Sequence, residues 1–147
     1  MSSKLLSYLS EQRRSSDWNL LITSLLNGAQ SMMDGEQFAQ LLSIAGMHCA
    51  QNLPLPPCDS LTELELSVNV QLSKLGWGVS TFSEHPEFLQ IDHQALPQDG
   101  PPVQYLAIFL AGLYQQWLHN AGASESLHVR VDEAASDDNT LVLRLEG

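Results

Sequence analysis

Cations are scarce in this chain. Six lysines and arginines stand against seventeen acidic residues, giving a net charge of −11 over 147 residues. Lys4, Arg13 and Arg14 all precede Asp17, so Lys74, Arg130 and Arg144 are the only lysines and arginines in the rest. A body this acidic repels phosphate backbones and anionic headgroups, which excludes nucleic acid and an anionic membrane surface as expected partners. Cysteine is scarcer still. Cys49 and Cys58 have the spacing of neither a zinc knuckle nor a redox dithiol, and two thiols build no disulfide framework; both are expected to be buried and structural. No apolar run approaches the roughly 20 residues of a membrane span. The opening MSSKLLSYLSEQRR also lacks the continuous apolar core and cleavage site of a secretory signal, so a cytoplasmic location is expected.

The patterns of common catalytic sites are missing too. There is no G-x-S-x-G elbow, Walker loop or G-x-G-x-x-G. His48, His85, His93, His119 and His128 form no H-x-x-x-H or H-E-x-x-H, so no metal is expected. Gly76-Trp77-Gly78 lacks the lysine and following helix of a phosphate loop. Asp137-Asp138-Asn139 lacks the spacing and distal glutamate of a calcium loop and reads as turn chemistry. The expectation is a protein that is not an enzyme and carries no cofactor.

What the chain does contain is helical apolar surface. Leu53 to Pro57 carries three prolines and must run extended. Ser60 and Glu63 form a capping box for a helix from Leu61 to Leu75, whose stripe is Leu61, Leu64, Val68, Leu72 and Leu75. Gly76 ends it and Trp77 plugs the change of direction. Earlier, Asp17 caps a segment with Trp18, Leu21, Ile22, Leu25 and Leu26 on one side. Asp34 with Gln37 caps a helix through about Ala50, where Gly46 marks a close helix approach. Residues 1–16, with Leu5, Leu6, Tyr8 and Leu9, are expected to form a short helix or a tail.

The period then shortens. Val79 to Phe82 and Phe88 to Asp92 read as strands joined by a turn at Glu84-His85-Pro86-Glu87. Pro102 opens a helix to about Asn120 that ends at Gly122. Leu127, Val129 and Val131, then Leu141, Leu143 and Leu145, alternate with polar partners as a second hairpin, connected by the acidic loop Glu133 to Thr140. The expected fold is α+β: about four helices and two antiparallel β-hairpins in one domain over residues 17–147.

Two helices carry a second apolar stripe. Leu66 and Val70 lie behind the 61–75 helix, and Tyr105, Ile108, Phe109 and Gly112 lie behind the 102–120 helix. Three such residues on one helix supply at most about 5–9 kcal/mol on burial. Either a central helix is enclosed within one subunit, or these six residues form an interface between copies. A sugar-binding alternative needs exposed aromatics beside amides, which Tyr8 and Trp18 with Gln12 and Asn19 provide.

Pro56-Pro57-Cys58, the helix with Leu64, Asn69 and Leu72, and the closing Leu75-Gly76-Trp77-Gly78 resemble the signature segment of the bacterial cellulose synthase D-subunit family. Leu110 to Trp117, LAGLYQQW, resembles that family's late helix through Tyr114 and Trp117. The resemblance implies a non-catalytic accessory protein of the cellulose synthesis and secretion machinery. It implies a ring-like octamer, a tetramer of dimers, with passages lined partly by N-terminal segments; this adds Lys4, Leu5 and Leu6 to the candidate contacts. The implied role is a scaffold ordering synthase complexes, or guiding glucan, so that crystalline cellulose assembles. Implied partners are further copies, cellulose synthase complex components, a proline-rich accessory protein and β-1,4-glucan chains. The family is described as cytoplasmic and also as periplasmic.

Overall fold

The computed structural model describes residues 3–97 and 101–147, and for residues 10–17 the backbone alone. In chain order the elements are α1 (Ser3–Met32), α2 (Gly35–Gln51), α3 (Leu61–Leu75), β1 (Val79–Glu84), β2 (Leu89–Gln94), α4 (Val103–Asn120), β3 (His128–Val131) and β4 (Thr140–Glu146). Met1–Phe38 and Ala39–Gly147 are two compact units. The α+β class is as expected. One continuous helix, α1, occupies the stretch in which a tail or short helix and a separate second segment were expected. The start expected at Asp17 is interior to it.

Caps set the helix ends where the sequence places them. At the start of α2, Gln37 N–H donates to Asp34 Oδ1 at 2.8 Å, and Asp34 N–H donates to Gln37 Oε1 at 3.2 Å. Ser60 Oγ accepts from Glu63 N–H at 3.1 Å, while the Glu63 carboxylate reaches one residue further back, to Asp59 N–H at 2.8 Å. Gly76 sits at φ 68° in the left-handed region, and Trp77 N–H bonds to Leu72 O. This closure pairs the carbonyls of Leu72 and Ser73 at the helix end. Gly122, at φ 112°, ends α4 in the same way, with Ala123 N–H on Leu118 O.

The two hairpins join. β2 pairs antiparallel with β4, from Leu89↔Leu145 to Gln94↔Thr140, giving one sheet of order β1-β2-β4-β3. Its inner face brings Phe82, Ile91, Leu143, Leu145 and Val129 against Leu110, Leu113, Tyr114 and Trp117 of α4 and Val68 and Leu72 of α3. The first hairpin turns at His85–Phe88, closed by His85 N–H on Phe88 O; β1 ends two residues later than expected, and β2 begins one residue later and ends two residues later. Val142 is buried although it alternates with the inner leucines. Ser136 folds back from the acidic loop to accept Val142 N–H at 2.9 Å and to donate to Asp132 O at 2.7 Å. Asp137 Oδ1 accepts from the N–H groups of Asn139 and Thr140, the turn chemistry expected there.

α2 crosses α4 with backbones in contact. A Cβ on Gly46 would overlap Phe109 O and lie 2.8 Å from Leu113 N, and a Cβ on Gly112 would overlap Ser43 O. Only glycine allows this approach. α4 therefore has the sheet on one side and α2 on the other.

Candidate functional site

Trp77 of the first sequence motif and Tyr114 of the second meet through His93. His93 on β2 is fully buried; its Nε2 lies 2.7 Å from Trp77 O, and its Nδ1 is hydrogen-bonded to Tyr114 Oη. A carbonyl only accepts, so Nε2 carries the proton and Nδ1 accepts from the tyrosine hydroxyl. Burial pushes the His93 pKa down, partly offset by the Trp77 carbonyl, and pushes the Tyr114 pKa up. Both rings are thus held neutral. Trp117 Nε1 donates to Leu53 O at 2.9 Å and ties the late helix to the proline segment. Trp77, Tyr114, Trp117, Gly76 and Gly78 are framework residues. Gly78, at φ 105°, packs against the backbone of Gln94 and Ala95. Pro56 and Pro57 are exposed. Cys58 is only half-buried, donating to Pro56 O at 3.2 Å, and so is Cys49, whose thiol pKa burial raises. Both cysteines pack against the core, as expected of structural residues, but they are partly rather than wholly buried.

Two amino acids on α3 do work that composition and periodicity do not reveal. Asn69 clamps edge strand β1, donating to Ser80 O at 2.9 Å and accepting Ser80 N–H at 2.8 Å. Glu65 accepts Phe82 N–H at 2.9 Å. On the opposite rim, Gln115 of α4 accepts Val129 N–H of β3 at 3.1 Å. Their signal in the sequence is only a polar side chain on the sheet-facing flank of an amphipathic helix.

The candidate interface residues divide. Leu66 and Val70 stand outside, 63% and 54% exposed. Tyr105 and Ile108 are half-buried. Phe109 packs edge-on against Trp77, with ring centroids 5.9 Å apart, and Gly112 is buried under Ser43. α2 packs on Gly112 and on the backbone of Phe109, while the Phe109 ring stays half-buried. Gly112 is therefore no part of an exposed patch.

The larger apolar surface is on α1. Leu5, Leu6, Tyr8, Leu9, Trp18, Leu20, Leu21, Ile22, Leu25 and Met32 are all at least 44% exposed. Trp18, Ile22, Leu25, Ala29 and Met32 follow one another at alternating steps of four and three, the seam spacing of paired helices. Of the candidate contact residues, Lys4, Leu5, Leu6, Tyr8 and Trp18 are exposed on this helix, and Gln12 lies outside the described side chains. Among the described residues no group of His, Cys, Asp and Glu is placed to hold a metal ion, and no helix is long and apolar enough to cross a membrane.

Comparison with known proteins agrees with the motif resemblance. The family model for the D subunit of cellulose synthase matches residues 4–146. A Komagataeibacter xylinus protein named Cellulose synthase operon protein D is 30% identical over 132 residues, covering 85% of both chains. Another of that name from the same organism is 28% identical, and one from Komagataeibacter sucrofermentans is 27% identical, each over the same share.

Proposed function

The chain belongs to the cellulose synthase D-subunit family, and on that footing we propose that it is a non-catalytic accessory protein of the bacterial cellulose synthesis and secretion machinery. It acts as a homo-oligomeric scaffold that organises synthase complexes and favours ordered, crystalline cellulose. The observation that carries this reading is the exposed apolar surface of α1, with Leu66 and Val70 on α3 as a separate contribution. A monomer rarely leaves so much apolar surface wet on one element. Burying the exposed half of a large side chain contributes roughly 1 kcal/mol. The ten on α1 together reach the range of about 4–15 kcal/mol that association costs in lost freedom.

Analytical ultracentrifugation at micromolar concentration tests it. A closed oligomer is expected, and Leu25→Asp with Ile22→Asp is expected to reduce it to smaller species. A wild-type monomer would remove the proposal. A second reading, guidance of β-1,4-glucan by the oligomer, is supported by Tyr8 and Trp18, 55% and 57% exposed on the same helix. Tryptophan fluorescence titrated with cello-oligosaccharides separates the two: a saturable response lost in Trp18→Ala supports guidance, and none with the assembly intact leaves the scaffold alone. Fractionation of cells producing the tagged chain decides between the proposed cytoplasmic site of action and a periplasmic one.

A further inference from the structure

The fold gathers two of the three lysines and arginines found after residue 14. Arg130 on β3 and Arg144 on β4 are direct cross-strand partners on the outer face of the sheet. Like charges placed opposite one another destabilise a sheet. This pairing occurs in a chain with seventeen acidic residues, so a neutralising neighbour is the cheapest thing the sequence has to offer.

The two guanidiniums are held differently. Arg144 lies over the Phe88 ring, Cζ 4.3 Å from its centroid, and Phe88 is itself stacked with His85. Its Nη2 is 2.8 Å from Asp132 Oδ2, and the other oxygen of Asp132 accepts Ala135 N–H at 3.2 Å. Asp132 is therefore committed on both oxygens and serves to orient Arg144. Arg144 Nε is buried and has no acceptor among the described residues. Arg130 is exposed and makes no ion pair among the described residues. Both arginines line a half-open depression of about 250 Å³, completed by Val131, Asp132 and Glu146.

We propose that this depression binds a carboxylate, seated between the Arg130 and Arg144 guanidiniums. A guanidinium held in place by a carboxylate and an aromatic ring is pre-oriented for a planar carboxylate, and the exposed Arg130 supplies a second fork. The uncommitted donors exceed the uncommitted acceptors, since only Glu146 remains, which disfavours a neutral polyol. Glu146, beside the seat, repels the group bound there in proportion to that group's own charge, so a singly charged carboxylate is favoured over a phosphate dianion. The group can come from a free organic acid or from an acidic side chain of a polypeptide.

Isothermal titration of the full chain with sodium glutarate tests the site, with a glutamate hexapeptide, inorganic phosphate and cellotetraose in parallel. Saturable glutarate binding is expected, weakened at least about tenfold in Arg130→Gln, since a hydrogen bond to a charged group contributes about 1.5–3 kcal/mol. Arg144→Lys, which keeps the charge and loses the fork, is expected to weaken it as well. Glu146→Gln is expected to tighten it. Hexapeptide binding of equal or greater strength assigns the carboxylate to a polypeptide; binding of glutarate alone assigns it to a small acid. No saturable binding of either, a stronger response to phosphate or cellotetraose, or no change in the Arg130→Gln and Glu146→Gln variants would overturn the assignment.

Discussion

Replacing Gly46 with alanine adds one methyl group, and the crossing of α2 and α4 fixes what that methyl meets. Its carbon would overlap Phe109 O and stand 2.8 Å from Leu113 N, both backbone atoms of α4. α4 cannot retreat easily, because Tyr114 and Trp117 on its other side are tied to His93 and Leu53. α2 must therefore move outward, opening the contact along its length. Overpacking of this kind costs about 1–3 kcal/mol, and the better helix propensity of alanine offsets about 0.5–1 kcal/mol of that. Gly28 is a control within the same chain: it lies inside α1 with nothing within 4 Å of a built Cβ. Gly28→Ala therefore retains the propensity gain of about 1 kcal/mol with no clash. Urea unfolding followed by far-UV circular dichroism, at one fixed protein concentration because association shifts apparent stability, should move the two midpoints in opposite directions. For a chain of this size, thermal midpoints should shift by roughly 2–4 °C per kcal/mol. If Gly46→Ala matched or exceeded the wild type, the backbone-to-backbone crossing would be refuted.

Three further outcomes are expected. His93 has a folded pKa below its ordinary 6.5, so the unfolded chain binds more protons as pH falls through that value. Stability is then complete above about pH 6.5 and declines below it at up to about 1.4 kcal/mol per pH unit; the decline should flatten in His93→Gln, measured by urea titration from pH 7.5 to 5. Asn69→Ala strands the buried Ser80 N–H and carbonyl, at about 1–3 kcal/mol for each group left unpaired, and should raise thioflavin-T-positive aggregation because the β1 edge opens. Phe109→Asp should destabilise the subunit itself, because its ring packs on Trp77, whereas Leu66→Asp, on an exposed position, should leave the unfolding midpoint within about 0.5 kcal/mol of wild type.

What was legible in the sequence was local. The Ser60–Glu63 and Asp34–Gln37 boxes, the Gly76 and Gly122 stops, and the alternation of β4 each depend on residues a few positions apart. The continuity of α1 was hidden because Arg13-Arg14-Ser15-Ser16 has no apolar residue for a helical period to follow. The β2–β4 pairing joins segments about fifty residues apart, and no local propensity encodes it. Gly46 was readable as a close approach, but its partner Gly112 was not, so Gly112 was assigned to a surface that α2 covers. The motif residues were visible as a pattern, while their linkage through His93 needed the fold. The apolar excess read on the 61–75 helix stands exposed at Leu66 and Val70, while the larger exposed surface of α1 drew no such reading.

The side chains of Asn69, Glu65 and Gln115 have a consequence for how this protein can grow. A stray extended peptide drawn to either rim of the sheet finds backbone amides there already answered by amide and carboxylate groups from its own helices. Lateral recruitment into ribbons is thereby discouraged at both margins. The association proposed above would then fall to cylinders of leucine, isoleucine and tryptophan, whose contacts can come apart and re-form without unravelling a strand.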